Sequence, residues 1–225
     1  MQSGNWGRFA KRPEWSDRLT RSRLLSGFAV DSDPPSTSPW RFPFTYRAVQ
    51  ELFEIFSDEG APAGLAARND VHRLGLWYRA SNVFLFRTDG RLVIQRRHRS
   101  KDVWPDAWDL SVAEHLKPGE TFLEGAIRGL REEFGIEGVT LKALSDEIRC
   151  RLEVPESGIK AYELQVCYHR VSDADLACDF DEVAAIRFVT VDELEAAIRT
   201  SPHEFTPSLR DRARDIGLFE RLRNG

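Results

Sequence analysis

Side chains that could bind a cation are concentrated in one short segment, residues 119–136, with the sequence GETFLEGAIRGLREEFGI. Its charged residues are Glu120, Glu124, Arg128, Arg131, Glu132 and Glu133. On a helix, opposite charges four residues apart form ion pairs worth about 0.2–0.5 kcal/mol each, so an exposed salt-bridge helix would explain them. Carboxylates that converge without neutralising cations would instead bind a hard divalent cation, Mg²⁺ or Mn²⁺.

Three details favour the metal interpretation. Glu132 and Glu133 are adjacent like charges, from which a helix gains no stability. Gly129 lies in the middle of the segment, where glycine costs a helix about 1 kcal/mol relative to alanine. The preceding loop adds the carboxylate of Glu120 at the helix entrance. On the helix sequence alone, both interpretations remain open.

An amphipathic helix is predicted to carry these groups. Its apolar stripe consists of Leu123, Ile127, Leu130 and Phe134, and the charged residues lie away from that stripe. Thr121 and Glu124 have the spacing of a capping box at the start of the helix. Gly135 suits the left-handed position after its last turn.

The rest of the chain alternates strands with helices. Strands are predicted at about 52–56, 83–86, 92–95, 108–112, 147–154, 162–169 and 184–189, and further helices at 191–199 and 208–222. This order predicts an α/β (α+β) fold with a mixed sheet between helices. Trp77, Trp104 and Trp108 are close in sequence and could line a site, although tryptophans are more often core residues.

Composition narrows the functional classes. The 225 residues carry a net charge of −4, which gives no general attraction to nucleic acid or to an anionic membrane. No apolar run approaches the roughly 20 residues that cross a bilayer. The 3 cysteines lack CxxC spacing, which indicates a reducing, cytoplasmic environment. The sequence makes no prediction of oligomeric state.

Residues 1–45 differ from the remainder. A Pro/Ser/Asp-rich stretch at 31–39 is typical of a linker, and residues 1–30 are rich in arginine and lysine. We therefore predict an N-terminal extension over 1–45, partly disordered or targeting, and a single domain over 46–225. If residues 1–30 are a transit segment, an organelle is the alternative to the cytoplasm.

Residues 114–136 resemble the Nudix box, a loop–helix motif written G-x5-E-x7-R-E-U-x-E-E-x-G-U with U apolar. The matching residues are Glu120, Arg128, Leu130, Glu132, Glu133, Gly135 and Ile136. The chain departs at the leading glycine, here Glu114, and at the glutamate after the arginine, here Gly129. The resemblance implies a Nudix-type sheet between helices, and metal-dependent hydrolysis of a small-molecule diphosphate linked to another moiety.

Residues 71–86 (VHRLGLWYRASNVFLF) and 92–115 (LVIQRRHRSKDVWPDAWDLSVAEH) resemble the Nudix hydrolases related to isopentenyl diphosphate isomerase. In that isomerase, a catalytic cysteine precedes a metal-binding histidine by two residues. His115 matches the histidine, but Ala113 occupies the cysteine position, so the isomerase activity is not implied. His72 and Tyr78 lie near two further metal-binding histidines of the isomerase, with imperfect spacing and residue type.

The same resemblance implies roles for residues outside the box. Arg97 and Lys101 match cationic contacts to the substrate diphosphate, although a basic surface turn would also explain them. Glu182 matches a late acidic metal ligand, although it would also suit a solvated loop.

Within the box, the resemblance makes Glu132 and Glu133 metal ligands, with Glu120 supporting the metal and Arg128 orienting the carboxylates. One box position loses a carboxylate and another gains one. We therefore hypothesise that Glu114 replaces the carboxylate missing at Gly129, as a metal ligand or base. Separation of its carboxylate from those of the helix by more than about 8 Å would contradict this. The alternative function is a diphosphate-binding or regulatory module with little turnover.

Overall fold

The computed structural model of the protein describes residues 51–218. The strands are β1 (Leu52–Phe56), β2 (Pro62–Ala67), β3 (Trp77–Phe86), β4 (Leu92–Arg97), β5 (Trp108–Asp109), β6 (Val112–His115), β7 (Lys142–Ala143), β8 (Ile148–Val154), β9 (Ile159–Val171) and β10 (Val183–Val189). The helices are α1 (Arg68–Leu74), α2 (Phe122–Phe134), α3 (Val191–Thr200) and α4 (Pro207–Asp215), with a 3₁₀ turn at Pro202–Glu204. The predictions for residues 1–45 lie outside the described part of the chain.

Strand β3 is central to the mixed sheet. It pairs antiparallel with β1, β4 and β6, and parallel with β9 from Trp77↔Tyr162 to Phe86↔Val171. Strand β10 extends the sheet beyond β4, and β2 extends it beyond β1. Every residue of β3 except Arg79 is buried, as expected for a strand covered on both faces.

Alternate residues of β3 face opposite helical layers. Val83 packs in one core cluster with Leu130 of α2. Phe84 packs in another with Leu194 of α3 and Leu209 of α4. Because successive side chains of a strand point to opposite faces, β3 joins the two layers. The predicted mixed sheet between helices is confirmed.

Helix α2 has the predicted ends. The Thr121 hydroxyl accepts a hydrogen bond from the N–H of Glu124, and the Glu124 carboxylate accepts one from the N–H of Thr121. After Phe134, Gly135 ends the helix in the left-handed conformation, with φ 66°.

The buried face of α2 differs from the predicted apolar stripe. Leu123 is 42% exposed, whereas the charged residues Arg128 and Glu133 are buried. The predicted stripe considers only the hydrophobicity of the side chains. The two charged residues are buried because other polar groups of the fold bond them.

Two regions of the sheet differ from the sequence prediction. Residues 62–67, where the sequence predicts no strand, form the edge strand β2, which is made mostly of small residues with weak strand propensity. The single strand predicted at 108–112 is divided into β5 and β6. Between them, the Asp109 side chain accepts from the N–H of Leu110, and the Ser111 hydroxyl accepts from the N–H of Leu85.

Helix α4 ends at Asp215, and residues 219–222 of the predicted helix 208–222 lie outside the described part of the chain. Gly217 follows with φ 62°, a left-handed conformation that interrupts a helix. Within residues 51–218, none of the helices combines the length and the apolar character needed to cross a membrane.

Candidate functional site

A cavity of about 980 Å³ lies beside α2 and is lined by side chains from α2, β3, β4, β6 and β9. It brings together the predicted site residues Arg97, Lys101, Glu114, His115, Arg128, Glu132, Glu133 and Glu182. These residues are spread over nearly ninety positions of sequence, and the central position of β3 explains how they meet. Of the predicted set, Glu120 does not line the cavity.

Arg128 is the structural centre of the helix side of this cavity. Its guanidinium is bidentate to Glu120, with Nε–Oε1 and Nη2–Oε2 distances of 2.8 Å each. Nη1 lies 3.1 Å from Oε2 of Glu132 and 3.0 Å from Oε1 of Glu114. Nη2 also donates to the carbonyl oxygen of His115 at 2.8 Å. One buried cation therefore connects α2, the loop before it and β6.

Glu120, predicted to support a metal, is bonded on the outer side of Arg128. Both of its oxygens bond Arg128, and Oε2 also accepts from the N–H of Lys117 at 2.8 Å. The Arg128 guanidinium and the Lys117 N–H lower the pKa of Glu120. Glu120 thus holds Arg128 and the helix entrance from outside the cavity.

Gly129 is packed directly against β6. A Cβ at this position would lie 2.5 Å from Cγ1 of Val112 and 3.2 Å from Cβ of Glu114. The glycine therefore makes room for a close helix–strand contact, and the Glu114 side chain leaves β6 next to the position of the missing helix carboxylate. Burial raises the pKa of Glu114, although the neighbouring Arg128 opposes this shift.

Glu133 is a buried carboxylate in this wall, only 5% exposed. Its Oε2 accepts a 2.6 Å hydrogen bond from Nε2 of Gln95, which also donates to the carbonyl oxygen of Ser111 at 3.1 Å. Burial raises the pKa of Glu133 well above its ordinary value, and the negative charges of Glu114 and Glu182 add to the increase. A buried carboxylate among like charges is a typical feature of functional sites.

The predicted phosphate-binding cations are held by acidic partners. Arg97 bonds Asp109 Oδ2 through Nη1 and the carbonyl oxygen of Val103 through Nε, both at 3.1 Å. Lys101 Nζ lies 3.3 Å from Oε2 of Glu182. The cavity thus presents two cations beside the carboxylates of α2 and β6.

A second cluster of polar side chains forms the wall of the cavity opposite α2. The Tyr78 hydroxyl donates to Oε1 of Glu163 at 2.6 Å, and Nε2 of His72 lies 3.3 Å from the same hydroxyl. Nε2 of His115 lies 3.7 Å from Oε1 of Glu163. Phe53 stacks on Tyr78 with ring centroids 4.9 Å apart and meets His115 edge-on at 5.0 Å.

Burial and neighbouring groups shift the pKa values of His72, Tyr78 and Glu163 in this wall. Burial lowers the pKa of His72 to about 4 and, together with Glu163, raises the pKa of Tyr78. Burial opposes ionisation of Glu163, but its contacts with His115 and Tyr78 outweigh that effect and lower its pKa. The lowered pKa favours the charged form of the Glu163 carboxylate.

His115 does not join the helix carboxylates as the metal prediction expected. Within residues 51–218, its imidazole contacts Glu163, Phe53, His72 and Tyr78. Successive residues of a strand point to opposite sides, so Glu114 and His115 reach different walls.

Sequence reasoning missed Gln95 and Glu163. Gln95 lies in an apolar strand, where a single amide gives no functional signal. Glu163 and Gln165 alternate in β9 and both line the cavity, so polar residues at period two in a buried strand were the available signal.

The three tryptophans do not form one lining. Trp108 belongs to the core beside α3 and α4. Trp77 is buried and its ring lies tilted against that of Tyr162, with ring centroids 5.6 Å apart. Only Trp104 of the three lines the cavity, and its backbone has φ 45°.

The carboxylates fit a hard divalent cation by donor type, because oxygen ligands are those that Mg²⁺ and Mn²⁺ prefer. Among residues 51–218, however, no three His, Cys, Asp or Glu side chains are arranged to hold a metal ion. In this conformation, Arg128 neutralises Glu114 and Glu132. These two carboxylates contact the same Nη1 atom at 3.0 and 3.1 Å, well inside the limit of about 8 Å.

Known proteins resemble this chain in sequence and fold. The isopentenyl-diphosphate Delta-isomerase of Kocuria rhizophila is 29% identical over 176 residues, covering 78% of this chain and 97% of that protein. An uncharacterised Nudix hydrolase of Pseudomonas aeruginosa is 29% identical over 153 residues, covering 68% and 86%. The crystal structure of DR0079 from Deinococcus radiodurans matches the fold with a TM-score of 0.60 and 24% identity, covering 74% of this chain and 99% of that one.

The family comparison agrees with these likenesses. The model of the NUDIX domain matches residues 77–209, which contain α2, Tyr78 and Glu163 of the opposite wall, and most of the sheet. The match spans more than half of the chain, and the protein is accordingly a member of the Nudix family.

Proposed function

We propose that the protein hydrolyses a diphosphate linked to another moiety and uses Mg²⁺ or Mn²⁺. The observation that carries this proposal is the buried Glu133, which shares a cavity with the carboxylates of Glu114 and Glu182 and with the cations Arg97 and Lys101. Negative groups would hold a divalent cation there, and positive groups would hold phosphate oxygens.

Four residues would hold the metal: Glu114, Glu132, Glu133 and Glu182. A divalent cation bound in such a site neutralises phosphate oxygens and makes a water molecule more acidic. Glu120 is not included because it does not line the cavity, and His115 is not included because its imidazole lies in the opposite wall.

The protein's own contribution is positioning and charge. Gln95 fixes the Glu133 carboxylate through a 2.6 Å hydrogen bond. Arg97, oriented by Asp109, and Lys101 would bind the diphosphate and stabilise the charge that develops on it. Glu114 would take the role of the helix carboxylate that is absent at Gly129.

The test is turnover of nucleoside, sugar, prenyl and thiamine-type diphosphates with added Mg²⁺ or Mn²⁺, followed by released phosphate or monophosphate. Glu133→Gln is expected to reduce kcat/KM by more than about 100-fold. Glu137→Gln, an exposed glutamate just beyond α2, is the matched control and should retain activity. Turnover that survives in Glu133→Gln would contradict the site assignment.

The role of Glu114 is tested separately. Glu114→Gln should lose turnover as Glu133→Gln does, while thermal unfolding shows that it is folded. If Glu114→Gln retains full turnover and Glu133→Gln does not, the replacement role is wrong.

A second candidate is a diphosphate-binding module with little turnover. The observation that favours it is the absence, among residues 51–218, of a preassembled group of metal ligands. Diphosphate binding detected by calorimetry, without hydrolysis of any compound in the panel, would select this function.

A further inference from the structure

The wall opposite α2 is built on one face of two paired strands. Tyr78 and Asn82 of β3 line the cavity, as do Glu163 and Gln165 of β9. The parallel register places Tyr78 beside Glu163 and Asn82 beside Cys167. The two pairs are four positions apart along the strands, a span of roughly 13 Å at about 3.3 Å per residue.

At one end of this wall, the Glu163 carboxylate can accept further hydrogen bonds. Its side chain is 14% exposed, receives hydrogen bonds from Tyr78 and Gln165, and has Nε2 of His115 3.7 Å from its Oε1. A carboxylate offers about four lone-pair positions, so acceptor capacity remains. Among residues 51–218, no lysine or arginine forms an ion pair with it.

At the other end, Asn82 is a donor without an adequate acceptor. The residue is 1% exposed, and its Nδ2 atom has no hydrogen-bond partner within the described chain. Its polar neighbour is the thiol of Cys167, which is a weak acceptor. A buried amide N–H without an acceptor is unfavourable, so a ligand atom that accepts from Nδ2 would be favoured.

The surroundings add rigidity and an apolar surface. Phe53 fixes the rings of Tyr78 and His115 by direct stacking and edge contacts. Leu152 and Ala161, register partners on β8 and β9, line the same cavity. A ligand here would meet an acceptor, a donor and a carbon surface.

We propose that this wall, with Glu163 and Asn82 as its specificity-determining residues, binds the non-phosphate half of the substrate, and that this half is a hydroxyl-bearing group such as a sugar. Hydroxyl groups both donate and accept, as the two residues require, and a hydrocarbon chain would leave both unsatisfied. The negative charge of Glu163 also directs the diphosphate toward Arg97 and Lys101. The inference rests on the proposed function for the location of the diphosphate.

Binding without hydrolysis tests the inference independently of turnover. The dissociation constants of a nucleotide sugar and of geranyl diphosphate are measured by calorimetry without added divalent metal. We expect the nucleotide sugar to bind at least about 10-fold more tightly, since a site built to bond hydroxyls rejects ligands that lack them. Equal binding, or tighter binding of geranyl diphosphate, would overturn the proposal.

Variants separate recognition from folding. Glu163→Gln should reduce the preference for the nucleotide sugar about 10-fold or more, whereas Glu156→Gln, an exposed glutamate of the β8–β9 hairpin, should leave it unchanged. Asn82→Leu should weaken nucleotide-sugar binding while the melting temperature stays the same or rises, because an unpartnered buried amide is removed. Loss of binding only in proportion to loss of folded protein would overturn the assignment.

A metal titration tests whether Glu163 is instead a metal ligand. Glu163→Gln should bind Mn²⁺ as the unmodified protein does, while Glu133→Gln should not. Equal loss of Mn²⁺ affinity in both variants would make Glu163 a metal ligand and overturn the proposal. If no diphosphate is hydrolysed but the binding preference holds, the proposed hydrolysis fails and the sugar-binding wall stands.

Discussion

Glu114 and Gly129 face each other across the contact between β6 and α2, where a Cβ on residue 129 would lie 3.2 Å from Cβ of Glu114. The same Cβ would lie 2.5 Å from Cγ1 of Val112, a distance that requires atoms to move. The helix therefore carries glycine because strand and helix approach too closely for any side chain. The close approach also brings the Glu114 carboxylate to the guanidinium of Arg128.

Gly129→Ala is expected to destabilise the protein by about 1–3 kcal/mol through overpacking against the rigid side chain of Val112. Helix propensity alone would give the opposite sign, about 1 kcal/mol in favour of alanine. Urea denaturation measures the difference. Gly125→Ala is the matched control, because its Cβ would meet Cδ1 of Leu116 at 3.0 Å, the mobile end of a longer side chain.

A second substitution tests whether Val112 is the side chain with which a Cβ on residue 129 would clash. In a Val112→Ala background, Gly129→Ala should cost much less than it does alone. Equal cost in both backgrounds would show that Val112 is not the obstacle.

Arg128→Lys should destabilise the protein by about 3–5 kcal/mol, because a lysine cannot replace a bidentate guanidinium and buried carboxylates lose their partner. Arg131→Lys is the control on the same helix. Its side chain is 53% exposed and forms an ion pair with Glu132, so a change within about 0.5 kcal/mol is expected. Chemical denaturation of both variants checks the contrast, which would be absent if Arg128 acted only as a surface charge.

Glu133→Gln should stabilise the metal-free protein at about pH 8 and have little effect at about pH 4. The folded-state pKa of Glu133 is raised, so the folded protein holds this proton more tightly than the unfolded chain does. Stability from that proton is present below the ordinary glutamate pKa and is lost as pH rises through the folded-state value. Each kcal/mol relieved should raise the melting temperature by about 2–4 °C.

Thermal unfolding from about pH 4 to about pH 8 measures this effect, with Glu137→Gln as the exposed control. A melting-temperature difference that is the same across the range would contradict the buried-charge explanation. Saturating Mg²⁺ should reverse the order of the two proteins at high pH, because a ligand that binds only the folded state stabilises it.

Gln95→Leu should lower Mg²⁺ affinity or kcat by about 10–100-fold, the usual effect of losing a residue that orients a metal ligand. The substitution removes the hydrogen bond from Nε2 to Glu133 and keeps an uncharged side chain of similar size. Calorimetric metal titration distinguishes this role from simple destabilisation. Unchanged metal affinity in a folded Gln95→Leu protein would show that Glu133 needs no such support.

The parts of the fold that depend on residues close together in sequence were mostly predicted. Helix α2, its capping box and its terminal Gly135 follow from side chains within a few residues of one another, and the structure confirms them. The edge strand β2 and helix α1 were missed because their short sequences carry weak signals. Packing on the neighbouring elements determines these two.

Only the side of the candidate site formed by α2 and β6 could be predicted from the sequence. Glu132, Glu133 and Glu114 belong to a continuous motif, so their proximity follows from a loop and a helix. The opposite wall joins Tyr78 to Glu163, 85 residues later, through parallel strand pairing. No local pattern specifies that register. The burial of Arg128 was also not predictable from its type, because it depends on carboxylates from three different elements.

The parallel pairing of β3 with β9 also determines when the cavity can form. The chain that ends before Ile159 contains α2 and β6, but it lacks the strand that carries Glu163. During synthesis, the carboxylate helix is therefore complete before its opposite wall exists. Closing a loop of this length is a slow step, whereas helices form quickly. When the protein refolds, helical structure should return before the ability to bind a ligand.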